Sequence, residues 1–467
     1  MVSLNFPILN TLKRFVLIVL MSLILFSCKK NNKEDLSDTT KTKVNTNKIV
    51  GFLYTTTNGE GENEIVQLAR HEDGTLSSEK TYPTGGKGGS DHSAPAHGDY
   101  DAQGNLKIVG NVLITTNPGD NTISTFRVNK TNGDLKFLSI VDSHGDRPVT
   151  LDFLSVEGSS NEYWVAVGNQ WGTPTVLYDG DKLKRYPDDA FFKQDLTKPD
   201  ASDKDRSIQL FKLNSTTGEL TYQNMLSEFV RQNGGPADVK FSPDGKKIAV
   251  TLWGIPHFFT PKPILKETRP SRVYVYDFKD GKISNPRYFE EDGIVGTVGF
   301  HWSKNSDMLY TSNFNLIPEK FDNGLTVLKD NGNKVTKVSK HITGGDGNVD
   351  EACWTMLSPD NKRLYVCSYV TNVITTYELN QGGTVGKTLN VAKRGDYAPL
   401  EDSKDIYAAK NNKYVYLLGS FFSYSVNVFE VTPEGLKYKR QYTLAKTKDK
   451  VGQPGVYDLV GLDGFDL

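Results

Sequence analysis

From residue 50 onward, apolar side chains recur at every second position in short runs, the period of a strand with one packed face. Seven of these runs resemble one another: Asn63–Arg70, Asn121–Val128, Arg206–Leu213, Ser271–Phe278, Asn323–Asp330, Asn372–Leu379 and Tyr424–Val431. A glycine-containing turn follows each one, at Asp73-Gly74, Asn132-Gly133, Thr217-Gly218, Asp280-Gly281, Asn331-Gly332, Gly382-Gly383 and Glu434-Gly435. Such pairs accept the positive backbone angles of tight hairpins. A second β-rich run precedes each copy: Phe52–Thr56, Val112–Thr116, Tyr163–Val167, Lys247–Thr251, Met308–Ser312, Arg363–Cys367 and Tyr414–Leu418. Ahead of several of these, a turn closes a further apolar stretch. Phe241-Ser-Pro-Asp-Gly245 is the clearest, and Leu357-Ser-Pro-Asp-Asn361 repeats it. The proline presets the turn angle and the polar pair after it closes the turn.

The repeated unit is thus four strands, and no convincing helical periodicity interrupts the series. Four-stranded units arranged radially bury their flat apolar faces against one another and expose only short edges. The pattern predicts an all-β fold, a seven-bladed β-propeller. The first copy begins with its second strand, so its innermost strand is missing. The C-terminal Gly455–Phe465 has strand character and no strand after it. Placed as the innermost strand of the first blade, that tail closes the ring.

The first 48 residues follow a different pattern. Lys13-Arg14 precedes an apolar run from Phe15 to Phe26, broken only by Ser22, and a small residue and Cys28 come next. This order matches a secretory signal peptide, and the run is short for a bilayer span. Leu25-Phe26-Ser27-Cys28 resembles a bacterial lipobox, which implies cleavage before Cys28 and its lipidation. By the same resemblance, Lys29 in place of an aspartate implies the outer membrane. Lys29–Lys48 is polar and aperiodic and reads as a tether. The expected division is residues 1–27 signal peptide, 28–48 flexible tether and 49–467 propeller, exported and anchored to the membrane through Cys28.

Composition narrows the function. The 55 basic and 56 acidic residues become 53 and 56 once Lys13 and Arg14 are removed, so no basic excess exists to neutralise phosphates. Nucleic acid is therefore not an expected partner. Three cysteines make no disulfide framework, and Cys353 and Cys367 read as buried thiols. The chain has no G-x-S-x-G, H-E-x-x-H, Walker or dinucleotide-binding motif, so no organic cofactor is expected.

In a propeller with this strand order, the second-to-third loops and the connections into each innermost strand emerge on one face. The long insertions, near residues 169–205, 254–270 and 313–322, fall in second-to-third loops. Polar residues gather where innermost strands begin. The mouth of the central channel is therefore the default site. His92, His97 and Asp99 could ligate a transition metal, but their spacing matches no strong pattern, and metal content stays open. Arg147, flanked by His144 and Asp146, offers a forked donor for a carboxylate or phosphate, or a salt bridge between blades. Asp350-Glu351 crowds two carboxylates beside the channel, where one could act as a general base, or Glu351 could cap backbone N–H groups of the next blade. Asp238 begins the fourth innermost strand. His257 lies in the aromatic loop Ile255–Pro261. His301, inside a strand beside Trp302, reads as a satisfied inner-wall histidine.

Gly234-Gly-Pro-Ala-Asp-Val-Lys-Phe-Ser-Pro-Asp-Gly245, Arg272-Val-Tyr-Val-Tyr-Asp277 with Gly281, Asn372–Tyr377 and Tyr424–Phe429 together resemble the seven-bladed lactonase family. That family includes bacterial 6-phosphogluconolactonase and fungal carboxymuconate cyclase, and the likeness extends over residues 49–465. It implies cofactor-free opening or closing of lactones, with Arg147 and Glu351 at matching positions and His97 as a further candidate to activate water. The fourth blade departs from the family pattern, since Pro236-Ala237-Asp238 stands where a histidine is usual. Two functions are expected from the sequence. One is an envelope propeller binding a small molecule, saccharide or envelope protein through Arg147, Glu351, His92, His144, Asp238, Asp350 and His257. The other is a lactonase-like hydrolase with Arg147, Glu351 and His97 at its centre.

Overall fold

The computed structural model describes residues 47–59, 62–89, 102–170, 176–179, 182–185, 206–230, 234–254, 270–313, 324–344, 351–395, 402–444 and 459–467. These residues form seven antiparallel four-stranded sheets and one small hairpin, Val176–Asp179 with Lys182–Arg185. From the channel outward, blade 2 runs Leu106–Val109, Val112–Asn117, Thr122–Val128, Leu135–Asp142. Blade 3 runs Pro148–Ser155, Glu162–Asn169, Ser207–Asn214, Leu220–Glu228, and blade 4 runs Pro236–Phe241, Lys247–Leu252, Arg272–Lys279, Lys282–Glu290. Blade 5 is Thr297–Trp302, Met308–Asn313, Leu325–Asp330, Val335–His341. Blade 6 is Ala352–Leu357, Arg363–Ser368, Val373–Leu379, Val385–Lys393, and blade 7 is Ser403–Ala408, Tyr414–Gly419, Ser425–Thr432, Gly435–Thr443. All seven sequence copies are third strands.

Blade 1 is built from both ends of the propeller. Ile49–Thr56, Glu64–His71 and Leu76–Pro83 are joined on the channel side by Val460–Asp466, whose Phe465 pairs with Phe52. Innermost strands of successive blades touch all the way round, so the ring is closed. A buried arginine fastens the joint: Arg70 donates to Phe465 O at 2.8 Å and pairs with Asp466, and its guanidinium lies over Tyr407 and Tyr416 of blade 7.

The core is divided by seam. Leu53, Val66 and Leu68 of blade 1 pack on Tyr416, Val426 and Val428 of blade 7. Comparable clusters fill the other six seams, for instance Val109, Val112 and Ile114 against Val165, Val167 and Phe211 between blades 2 and 3. The alternating pattern therefore does not separate core from solvent in the inner strands. Both faces of a blade meet a neighbour, and the second and third strands are buried nearly throughout. Only outermost strands, such as Leu220–Glu228, present a polar exposed surface. The turn glycines meet the angle that selected them, with φ of 81° at Gly74, 74° at Gly133 and 84° at Gly218.

Candidate functional site

The innermost strand of every blade is a sheet edge, so its outward N–H groups need acceptors. Four aspartates on these strands supply them, each reaching the next blade. Asp152 accepts from Phe241 N at 2.8 Å, Asp238 from Phe300 N at 3.0 Å, Asp405 from Leu462 N at 3.1 Å and Asp463 from Ile108 N at 2.8 Å. Burial raises the proton affinity of all four, opposed by Lys107 and Lys240 between them; Asp238 is pushed up to about 6. Lys240 pairs with Asp238. His301 Nδ1 lies 2.9 Å from Thr355 Oγ1, and burial, with Lys240 and Lys107 nearby, holds the ring well below its usual pKa and neutral. His301 is thus the inner-wall residue expected.

Asp238 corrects the sequence reading. It was expected to meet ligand at the mouth, but it is 1% exposed and spends its carboxylate on Phe300 and Lys240. These four aspartates cap the next blade, the duty considered above for Glu351. An aspartate within an otherwise apolar innermost strand, repeated in four copies, was the available signal.

Above this belt the channel is crossed by the chain itself. Gln103, three residues ahead of blade 2, donates its backbone N–H to Ala237 O of blade 4 at 3.0 Å. Its side-chain amide donates to Thr355 O of blade 6 at 2.7 Å and to Asp405 of blade 7 at 3.2 Å. Its carbonyl accepts from Thr150 of blade 3 at 2.6 Å, and Trp354 Nε1 donates to Ala102 O at 2.9 Å. One residue reaches four other blades only by lying across the axis. Gly299 of blade 5 makes room for it, since a Cβ there would stand 2.1 Å from Gln103 Oε1. Ala102–Gly104 therefore forms a floor near the starts of the innermost strands, a feature without a periodic signature in the sequence.

Arg147 and Glu351 occupy equivalent places at the rim. Each immediately precedes an innermost strand, in blades 3 and 6. Each carbonyl accepts the first N–H after its blade's second strand: Gln170 N to Arg147 O and Tyr369 N to Glu351 O, both 2.9 Å. Both backbones are left-handed, with φ of 57° and 47°. For residues with long side chains this conformation costs about 1–2 kcal/mol each. At Arg147 it is held by Asn121, whose Oδ1 accepts from Arg147 N and whose Nδ2 donates to Asp146, both at 2.8 Å. Asn372 does the same one seam before blade 7, accepting from Asp402 N at 3.2 Å and Ser403 N at 2.7 Å. The asparagine that opens several repeat copies is thus a latch on the next blade. Blades 3 and 6 are not neighbours, so Arg147 and Glu351 share one end of the ring without adjoining.

His144 is not part of that rim. It stacks on Tyr222 of blade 3 at 3.8 Å and 22°, a packing contact between outer strands that explains a histidine after Asp142 without a ligand. His92, His97, Asp99, His257, Asp350 and Cys28 lie outside the described residues. Among the described residues, no three His, Cys, Asp or Glu side chains are arranged to hold a metal ion. Cys353 and Cys367 are buried thiols, and Cys353 Sγ donates to Glu351 O at 3.1 Å.

A corner between blades 6 and 7, beside Glu351, was not anticipated. Arg394 and Asp402, both fully buried, pair at 2.7 Å. Asp402 also accepts from the backbone N–H of Phe421 at 2.8 Å, Phe422 at 2.7 Å and Ser423 at 3.3 Å. This fixes the second-to-third loop of blade 7. The Phe421 ring meets Tyr369 edge-on at 5.5 Å and covers Lys404 Nζ at 4.9 Å.

This closed ring of seven four-stranded units, with its polar rim around a floored channel, is a seven-bladed β-propeller. Residues 50–185, covering three strands of blade 1, all of blade 2 and the first half of blade 3 with Arg147, match the family described as lactonase, 7-bladed beta-propeller. Over that segment the chain resembles the lactonase propellers. The periplasmic gluconolactonase of Pseudomonas aeruginosa has a similar structure, at a TM-score of 0.59 and 14% identity, covering 88% of this chain and 99% of that one. A Lactobacillus plantarum protein gives 0.57 at 13% identity, covering 89% and 99%. A Bacteroides fragilis protein provisionally described as a 6-phosphogluconolactonase gives 0.55 at 12%, covering 89% and 98%. At these identities the likeness is one of fold. No curated protein matches the chain.

Proposed function

We propose that the protein is a lactonase-like hydrolase that opens a sugar-acid or carboxylated lactone at the rim of the floored channel. The observation that carries this reading is that, of thirteen described non-glycine residues with positive φ, an arginine and a glutamate stand at equivalent rim positions ahead of innermost strands. Backbone strain at a long-chained residue persists only where its surroundings impose it, and it concentrates at working sites. Here it falls on an arginine and a glutamate, which are chemically suited to ester hydrolysis. Glu351 accepts a proton from water as the water oxygen attacks the lactone carbonyl. Arg147, across the mouth in blade 3, holds the substrate through a carboxylate or hydroxyl away from the reacting carbonyl. The ring C–O bond then breaks, its oxygen takes the proton, and the product is the open hydroxy acid. Ala102–Gly104 limits the depth to which substrate and water can enter.

We further propose that the chain is exported and lipid-anchored at Cys28, so its substrate is one available in the envelope. Protein lacking residues 1–27 is assayed on a panel of sugar and aromatic lactones by acid release. Hydrolysis is expected, with E351Q lowering kcat by about 100-fold or more and R147A raising KM by about tenfold or more. An unchanged kcat in E351Q and an unchanged KM in R147A would remove these assignments even if the activity were real.

A further inference from the structure

We propose that Tyr369, Phe421 and Phe422 form a ring-stacking subsite beside Glu351, one that takes an uncharged ring with an apolar face and disfavours a phosphorylated one. The inference rests on the lactonase reading for what is bound, and on separate observations for where. The N–H of Tyr369 is donated to the carbonyl of Glu351, so the aromatic side chain follows directly from the candidate base. Phe421 meets Tyr369 edge-on across the seam between blades 6 and 7. Phe422, next along the same loop, is 52% exposed. Its exposure leaves the ring open to a ligand on the same loop whose Phe421 ring meets Tyr369.

The pinning is the second observation. Three consecutive N–H groups, of Phe421, Phe422 and Ser423, are held by the single carboxylate of Asp402, itself paired with Arg394 in full burial. The backbone beneath Phe422 is thus fixed before any ligand arrives, which lowers the ordering cost of stacking. Flat aromatic walls favour ligands with a face of C–H groups. Charge sets the preference further. Arg394 is neutralised by Asp402, and Lys404 is 1% exposed beneath Phe421. A dianionic phosphate near Glu351 would meet like charge there.

The test compares wild type with F422A and F422W on glucono-1,5-lactone and its 6-phosphate, and follows binding of the non-hydrolysed gluconolactam by NMR. Removing the exposed ring in F422A is expected to raise KM for the neutral lactone about tenfold while kcat stays within about twofold. F422W is expected to restore KM. Gluconolactam C–H signals shift upfield with wild type and not with F422A. The neutral lactone is expected to have the higher kcat/KM. An unchanged KM in F422A, a loss confined to kcat, or a preference for the 6-phosphate would overturn the subsite. If no lactone is hydrolysed, the enzymatic reading fails on its own. The subsite then stands if gluconolactam binds wild type and not F422A, and falls if both bind equally or neither binds.

Discussion

The Arg394–Asp402 pair allows an asymmetric prediction, since its two halves have unequal stakes. Asp402 accepts five hydrogen bonds: three from backbone N–H groups, one from Ser423 Oγ at 2.5 Å and one from Arg394. Among the described residues Arg394 has, besides Asp402, neutral acceptors: Ser423 Oγ at 2.8 Å, with Asn372 Oδ1 and Ser403 Oγ at 3.4 Å. In R394M the carboxylate keeps its N–H donors, so the cost stays near the lower end for a broken buried pair, about 2–3 kcal/mol. In D402A a buried guanidinium loses its counter-charge and three backbone N–H groups lose their acceptor. Even with strong non-additivity, that amounts to about 5 kcal/mol or more. For a folded unit of this size, 5 kcal/mol lowers the Tm by about 5–6 °C, and 2–3 kcal/mol by about half of that. Urea unfolding followed by tryptophan fluorescence, together with calorimetry, measures both. The reasoning predicts D402A below R394M by a clear margin, and a D402A/R394M double variant that recovers part of the D402A loss. If R394M were the more damaging, the backbone bonds would not be what Asp402 contributes, and the fixed loop under Phe422 would lose its physical basis.

Other consequences can be tested in the same way. Asp238 has a folded pKa of about 6, above the roughly 3.9 of an unfolded carboxylate, so the native chain binds a proton more readily between those values. Its contribution to stability is therefore greatest below about pH 4 and is lost as pH rises through about 6. Urea midpoints of D238N relative to wild type should rise across that window, and a relative fall would contradict the assignment. R70M removes the bonds to Phe465 and Asp466 while leaving the seam packed, and is expected to cost about 3 kcal/mol, with exchange protection lost first in Val460–Asp466. Uniform loss of protection across the blades would argue against a local fastening. Replacing Gln103 with alanine strands Thr355 O and opens the floor. It should destabilise the fold by about 1–3 kcal/mol, and an unchanged Tm would show that the crossing segment carries little energy.

Much of the fold was legible because its signals are local and repeated. Period-two strands, glycine turns and a C-terminal segment in need of a partner each recur or stand out along the chain, and together they left one architecture. The site was legible only in part. Arg147 and Glu351 could be placed ahead of innermost strands because position in the repeat sets where they fall. The partners of Asp238 and His144 could not be read because they depend on which neighbour lies across a seam: Phe300 N–H for one, beside Lys240 of its own strand, and the Tyr222 ring for the other. The crossing by Gln103 and the Arg394–Asp402 latch join residues far apart in sequence, and nothing periodic marks them. The three aspartates beside Asp238 in the capping belt were visible as polar interruptions of innermost strands, but only the structure shows that they answer to unpaired edges.

The composite first blade also has a mechanical consequence. Ile49–Thr56 is bonded on one side to Glu64–His71 and on the other to Val460–Asp466. A pull applied along the chain ahead of residue 49 therefore loads two hydrogen-bond ladders in shear at once, rather than peeling a single edge open.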